Sequence, residues 1–387
     1  MEKAVSWKKI LILAIAVCLF AGIIVKCNQF QKTPLASYKG QKYEKAVVTK
    51  IIKDNLAEDG SRYGTQKVLV KMTTGTYKGK EKQAINPSGT LFGADCKVGA
   101  RIIVIVNKSG TNAGFTVYSQ DRTMAIYGFV LIFAAVVCAI GGKKGVYAIL
   151  SLVFAFACII GIMFPMMYRG ISPIGIMFPM MYRGISPIVL TIIVAVLTTI
   201  VTLGLLGGYS SKTVSAILGT AIGVVIAAVA AMAFGKAAGI TGYNVSDIEA
   251  LNYVGQNTKI KIGELLFAGI IISALGAVMD VGMSIASTIQ EIYETDKTLS
   301  MKRLFVSGIN VGRDMMGTMT NTLIFAYVGG AMTTLVINYA YDLSYRQLAN
   351  SYVIGIEIMQ GLSGSLGVVL TVPITALIAS FLAVRKK

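Results

Sequence analysis

GELLFAGIIISALGAVMDVGMSIASTIQE (residues 263–291) and SGINVGRDMMGTMTNTLIFAYV (residues 307–328) are long apolar stretches joined by a short charged loop. Each carries polar residues where a lipid-facing helix has none. In the first, Ser273, Gly276, Asp280, Ser284 and Ser287 recur at helical spacing, so an α-helix gathers them into one small, polar stripe on an Ile/Leu/Ala/Val surface. In the second, Asn310, Asp314, Gly317 and Asn321 fall four, three and four residues apart, which is again one face, with Arg313 beside it. A hairpin would run the two helices antiparallel and bring Asp280, Arg313 and Asp314 to similar depth. A charge inside a bilayer costs about 3 kcal/mol or more unless it is paired, so an Asp280–Arg313 contact is the expected arrangement.

The rest of the chain agrees with a membrane setting. It has 387 residues, of which 55% are hydrophobic and 14% charged, and a mean hydropathy of +0.70. Several windows exceed the roughly 18 apolar residues of a spanning helix, so the fold class is a polytopic α-helical membrane protein. The 41 glycines allow close helix approach. Gly219 and Gly223 form a GxxxG pair suited to packing within the chain or to a homo-oligomer.

Chemistry is narrowed by what is missing. There is no histidine, which removes the commonest general base and metal ligand. The five cysteines (Cys18, Cys27, Cys96, Cys138, Cys158) form no C-x-x-C pair, and three of them lie in apolar segments as small hydrophobes; Cys27 and Cys96 could meet in an oxidising compartment, but a disulfide between them is not the expected reading. Walker A, G-x-S-x-G, H-E-x-x-H and Rossmann glycine patterns are lacking, so no enzyme activity, cofactor, metal site or catalytic residue is expected.

In chain order, residues 1–25 read as an uncleaved signal anchor, with Lys3, Lys8 and Lys9 ahead of an apolar run from Ile10 to Val25. Residues 38–122 read as a small β domain. The runs Tyr43–Ile52, Gln66–Met72, Val98–Val106 and Phe115–Ser119 are separated by Asp-Gly, Thr-Gly and Pro-Ser-Gly turns. Between Lys26 and Arg122 stand 17 Lys/Arg against 7 Asp/Glu, part of a net charge of +18. Such a domain would attract anionic lipid or an anionic wall polymer. Nucleic acid is not expected for a domain facing outward.

Residues 123–387 read as a bundle of seven further spans: Met124–Ile140, Val146–Phe164, Ile188–Gly207, Thr213–Phe234, Gly263–Ser287, Met316–Ile337 and Gly361–Val384. With the first helix this makes eight, both termini cytoplasmic and the β domain extracytoplasmic, an arrangement the basic loops favour. Ser246-Asp247-Ile248-Glu249 has the form of a capping box opening a short surface helix. The segment GIMFPMMYRGISPI at 161–174 recurs unchanged at 175–188. It reads as a slippage duplication or an assembly error rather than a functional element, accepted because a loop tolerates insertion.

GAVMDVGMSIASTIQE (276–291), LFVSGINVGRDMMGTMTNTLIFAYVGG (304–330) and GSLGVVLTVPITAL (364–377) resemble the YibE/F-like family of bacterial multi-spanning membrane proteins. AILGTAIGVV (216–225) and ITGYNVSDIEALNYV (240–254) extend the likeness upstream. The resemblance implies a protein of the bacterial cytoplasmic membrane, often from Gram-positive species, with one copy of the repeated segment and no established activity.

Function therefore rests on the residues. A permease-like path for an ion or small solute would pass Asp280, Asn310, Arg313, Asp314 and Asn321. Glu357 and Gln360 would join it just ahead of a helix break at Gly361, Gly364 and Gly367. The alternatives are an internal pair that only holds two helices together, or an envelope-associated accessory protein whose basic β domain binds a partner. An aspartyl pair for proteolysis is disfavoured, because Arg313 would keep both acids ionised where a dyad shares a proton.

Overall fold

The computed structural model describes residues 7–385 except 31, 33–34, 36–37, 39, 57–63, 88–92, 110–111, 171–185, 209 and 246. For residues 7–14, 16, 17, 108, 109 and 112 it describes the backbone alone. The chain divides into two compact units, residues 34–139 and residues 1–33 with 140–387.

The first unit holds a closed five-stranded barrel. Its strands are β1 (Gln41–Lys53), β2 (Gln66–Met72), β3 (Glu81–Asn86), β4 (Arg101–Ser109) and β5 (Asn112–Gln120), in the order β1-β2-β3-β5-β4. All neighbours are antiparallel except β3 with β5, which makes this a small Greek-key barrel of the OB type. Alternation drives it: Ala46, Val48, Val68, Val70, Met72, Ile102, Val104, Val106 and Val117 point inward while lysines point out.

Four strands coincide with the expected runs, except that Val98–Ala100 form a turn. The fifth, β3, was not anticipated because EKQAIN lacks an apolar alternation: Ile85 is exposed, and Ala84 and Asn86 are buried instead. Asn86 is satisfied inside the barrel. Its amide donates to Gln66 Oε1 (3.0 Å) and to the Ala94 carbonyl (2.7 Å), and Gln66 donates onward to Asp54 Oδ1 (3.0 Å). A polar pair thus occupies core space that apolar side chains fill elsewhere, without leaving an unpaired amide.

The other unit is helical. Its long elements are α1 (Trp7–Asn28), the part of α2 (Thr123–Cys158) beyond residue 139, α4 (Pro187–Gly207), α5 (Ser211–Ala238), α7 (Leu265–Thr295), α8 (Met301–Gly330) and α11 (Tyr352–Val384). Shorter ones are α3 (Phe164–Arg169), α6 (Ile248–Asn257), α9 (Met332–Ala340) and α10 (Tyr345–Ala349). Among the described residues five helical stretches are long and apolar enough to cross a membrane, and a sixth counts if α8 and α9, bent by 60°, form one span.

That is fewer than the eight expected. The second and third expected spans count as one stretch, Thr123–Arg169, by length and composition, but a kink divides it: Gly142 (φ 53°, ψ −131°) is not helical, and Lys143 and Lys144 open the second helix rather than stand in a loop. In α1 the apolar part with described side chains is only Cys18–Asn28. The expected span 316–337 begins earlier, at Met301, and breaks at Ala331. The expected break at Gly361, Gly364 and Gly367 is absent, because α11 is continuous through all three and through Pro373. The short helix α6 forms with Asp247 at its N-cap and no side-chain capping bond, while Ser246 lies outside the described residues, as does most of the second repeat copy. Among the described residues no disulfide is present, Cys27–Cys96 included.

The core of the bundle is built on α5, α7 and α11, where glycines remove the side chains that would keep backbones apart. Gly223 faces Val278, Thr371 and the Gly367 carbonyl; Gly219 faces Thr375; Gly282 faces Thr220 and the Ala216 carbonyl. The GxxxG pair is therefore used within the chain. Val224, Ala228, Ile271, Val278, Ile285, Val368, Val372 and Ala376 fill the space around these contacts.

In the barrel, Asp121 accepts a hydrogen bond from the Thr123 amide (3.0 Å) and pairs with Lys45 (3.0 Å). The Thr123 hydroxyl, then Lys45 and the Thr123 amide, hold its carboxyl down at about 2. A depressed carboxylate stabilises the fold above its unfolded value of about 3.9, and that contribution is lost as pH falls toward 2. Asp121→Asn should lower the melting temperature of the full chain's β signal in circular dichroism at pH 7, modestly because Lys45 is part-exposed. The gap from wild type should close by about pH 2.

Candidate functional site

Two sets of contacts fix the depth of the polar residues in the helical unit. Gly364 packs on Ala274 and Gly367 on Val278, so α7 runs beside α11 in the same direction and Asp280 comes level with Leu370. Gly308 packs on Ala376 and Gly312 on Val372, so α8 runs the opposite way and Asp314 comes level with the same residue. Leu370 lies close to the middle of α11, Tyr352–Val384. Asp280, Arg313 and Asp314 therefore share one depth, near mid-span, as the hairpin reading required.

They do not pair. Among the described residues Asp280 and Arg313 form no ion pair, and Asp280, Asn310, Arg313, Asp314 and Asn321 are all exposed on the surface of the helical unit with no side-chain hydrogen bond. The reason is rotational. On α8 the glycines at 308 and 312 and the leucines at 304 and 323 take the buried face, which turns 310, 313, 314, 317 and 321 outward.

On α7 the exposed line is Gly269, Ser273, Gly276 and Asp280, while Ser284 and Ser287 are half-buried. A Cβ added at Gly269, Gly276 or Gly317 would meet nothing within 4 Å, in contrast to Gly308 and Gly312, which are tightly packed. The result is a seam of small and polar groups along α7 and α8 that is open on one side.

At one end the seam is tied. The Tyr327 hydroxyl donates to Ser273 Oγ at 2.6 Å and links α8 to α7. Beyond it lies a pocket of about 250 Å³ lined by Ile324, Tyr327 and Val328 of α8, Leu335 of α9, and Glu357, Ile358 and Gly361 of α11. Glu357 belongs to this pocket rather than to the charged cluster, since 13 residues of α11 set it about 20 Å from the level of Leu370. The next acid, Glu264, accepts a hydrogen bond from Ser186 and lies 3.8 Å from Lys261.

Two members of the site escaped the sequence reading. Gly269 continues the α7 stripe four residues before Ser273, so the same spacing rule reaches it. Tyr327 sat within an apolar run where only its hydroxyl distinguished it.

Chemically, the seam offers two carboxylates and a guanidinium at one depth, with amides and a hydroxyl above and below. It has no histidine or thiol. Among the described residues it lacks a nucleophile activated by a neighbour. Facing hydrocarbon, each charge would cost about 3 kcal/mol or more, so its surroundings in the membrane must be water or protein.

A family model described as YibE/F-like protein matches residues 129–178 and 174–385. The two matched segments overlap at 174–178, where the second copy of the repeat begins, in accord with a family pattern that holds the segment once. No curated protein and no solved structure matches the chain.

The Tyr327–Ser273 bond gives a direct test of how firmly the seam is tied. Tyr327→Phe should destabilise the purified protein by about 1 kcal/mol, the net worth of one hydrogen bond. Ser273→Ala in the same chain should add nothing further, as a double-mutant cycle of thermal melts would register.

Proposed function

The chain belongs to the YibE/F-like family of multi-span membrane proteins, and from its seam we propose that it is a permease that moves an ion or small polar solute across the bacterial cytoplasmic membrane. The observation that carries this reading is the common depth of Asp280, Arg313 and Asp314 on exposed faces of two touching helices. Charges placed at mid-membrane are expensive, and substrate or ion pathways are their commonest use. The bend of 60° between α8 and α9 supports it, because discontinuous helices recur at the substrate sites of transporters and this one adjoins the pocket at Tyr327 and Glu357. In this reading the first helix is a signal anchor, the two halves of the Thr123–Arg169 stretch cross separately, and both termini are cytoplasmic.

Water is the decisive witness. In a chain with its five cysteines replaced, single cysteines at Ser273, Asn310 and Asn321 should react with a water-soluble thiol reagent about as fast as a surface cysteine. Asp280→Asn and Asp314→Asn should abolish the proton or monovalent-cation flux of the protein in liposomes while leaving it folded. A seam that stays unreactive and variants that conduct normally would remove it from the mechanism.

A second reading has its own observation. Lys50 and Lys53 of β1 and Lys67 and Lys71 of β2 project outward from paired strands, with Lys53 opposite Lys67, and none of the four forms an ion pair among the described residues. OB-type barrels hold chain-like ligands on a face that includes the second strand, the strand that carries Lys67 and Lys71. On this reading the barrel, placed outside the membrane, holds an anionic wall polymer. The full chain in uncharged nanodiscs should bind inorganic polyphosphate, used as the probe, with an affinity that falls steeply with salt. Replacing all four lysines by glutamine should abolish the binding.

A further inference from the structure

We propose that the open side of the α7–α8 seam is covered by the same seam of a second copy of this chain, so that the path is completed only in a homodimer. This deepens the permease reading and rests on it for the path alone; the interface stands on separate observations.

First, the seam carries both signs. Asp280 lies on α7, and Arg313 and Asp314 lie at the same depth on α8. A two-fold axis along the seam sets Arg313 of each copy against an acid of the other, which makes the face complementary to itself.

Second, the face is cleared for close approach. Gly269, Gly276 and Gly317 are exposed with free space where a Cβ would stand, and small residues at such spacing are what membrane helices use to bring backbones together. The other exposed-glycine use, a tight turn, does not apply, because all three are inside helices.

Third, the chain's own remaining helices offer no match. The apolar runs Ile10–Val25 and Met124–Ile140 contain no acid or base to meet Asp280, Arg313 or Asp314. Lipid offers none at this depth. A partner must span the membrane and carry opposite charges at mid-depth, and the chain itself has that description.

Charge exchange between two differently tagged copies tests this. Asp280→Lys alone sets like charges against Arg313 of its twin, and Arg313→Glu alone sets them against Asp280. Each should lower self-capture of co-expressed tagged copies from detergent by about tenfold or more. Co-expressing the two variants restores an opposite pair at both contacts, so capture of one by the other should return to the wild-type level, which also shows that each variant folds. Oxidation of the single-cysteine variant Gly317→Cys in native membranes should yield a covalent dimer.

Absence of self-capture by the wild type, equal capture by wild type and both single reversals, or a cross-linked product of a mass other than twice the chain overturns the proposal. If flux persists in Arg313→Glu while its self-capture is lost, the dimer is not what completes the path, and the permease reading, tested by Asp280→Asn and Asp314→Asn, survives alone. If the dimer forms and no flux is found, the reverse holds.

Discussion

The backbone contact at Gly223, Gly367 and Val278 sets the geometry of the helical unit. With no Cβ on either glycine, α5, α7 and α11 close to a distance at which threonine hydroxyls meet the neighbouring main chain. Thr371 lies against Gly223 and bonds the Gly367 carbonyl one turn back in its own helix at 2.7 Å, whereas among the described residues Thr375 and Thr220 have no side-chain hydrogen-bond partner and lie against Gly219 and Gly282. Helices in lipid gain little from hydrophobic association with one another, so this fit is a main source of their cohesion. It also fixes vertical register, and register decides which residues of α7 and α8 share a depth.

From that register the seam follows. Gly308 and Gly312 seat α8 on α11 through Ala376 and Val372, which leaves the opposite face to Arg313, Asp314 and the two asparagines. The charges are thus held in place by packing on the far side of their own helix rather than by one another. An arrangement of this kind keeps them available to a solute, to water or to another protein surface, which an internal ion pair would not.

Much of this was legible in the sequence, and the exceptions have physical causes. Periodicity found the α7 and α8 faces and their common depth, because a 3.6-residue repeat and a short hairpin loop determine both. It could not say which way the faces turn: glycines at 308 and 312 compete with the polar residues for the interior, and tight packing won over pairing of charge.

The glycine triplet 361/364/367 was read as a break, yet in α11 it serves close contact, since glycine is tolerated in a helix when a neighbour fills the space it leaves. Strand β3 was invisible because its buried positions hold Ala84 and Asn86, and the partner that makes Asn86 acceptable, Gln66, is 20 residues away. Part of the change in span count comes at Gly142, where two lysines look like a loop in sequence but the break between the two helices is a single kinked residue.

The composition of α8 bears on how the protein is made. A segment with Arg313, Asp314, Asn310 and Asn321 near its centre is a poor candidate for partition into lipid unaided, at roughly 2.5 to 3.5 kcal/mol for each ionised side chain. It emerges from the ribosome just after α7, whose Gly269–Asp280 line lies alongside it, and before α11, which supplies the seat for its glycines. The polar line on α7 is thus made before the helix that needs it, while the seat on α11 comes later and covers only the glycine face. A helix of this composition is expected to enter the membrane in the company of α7 rather than alone.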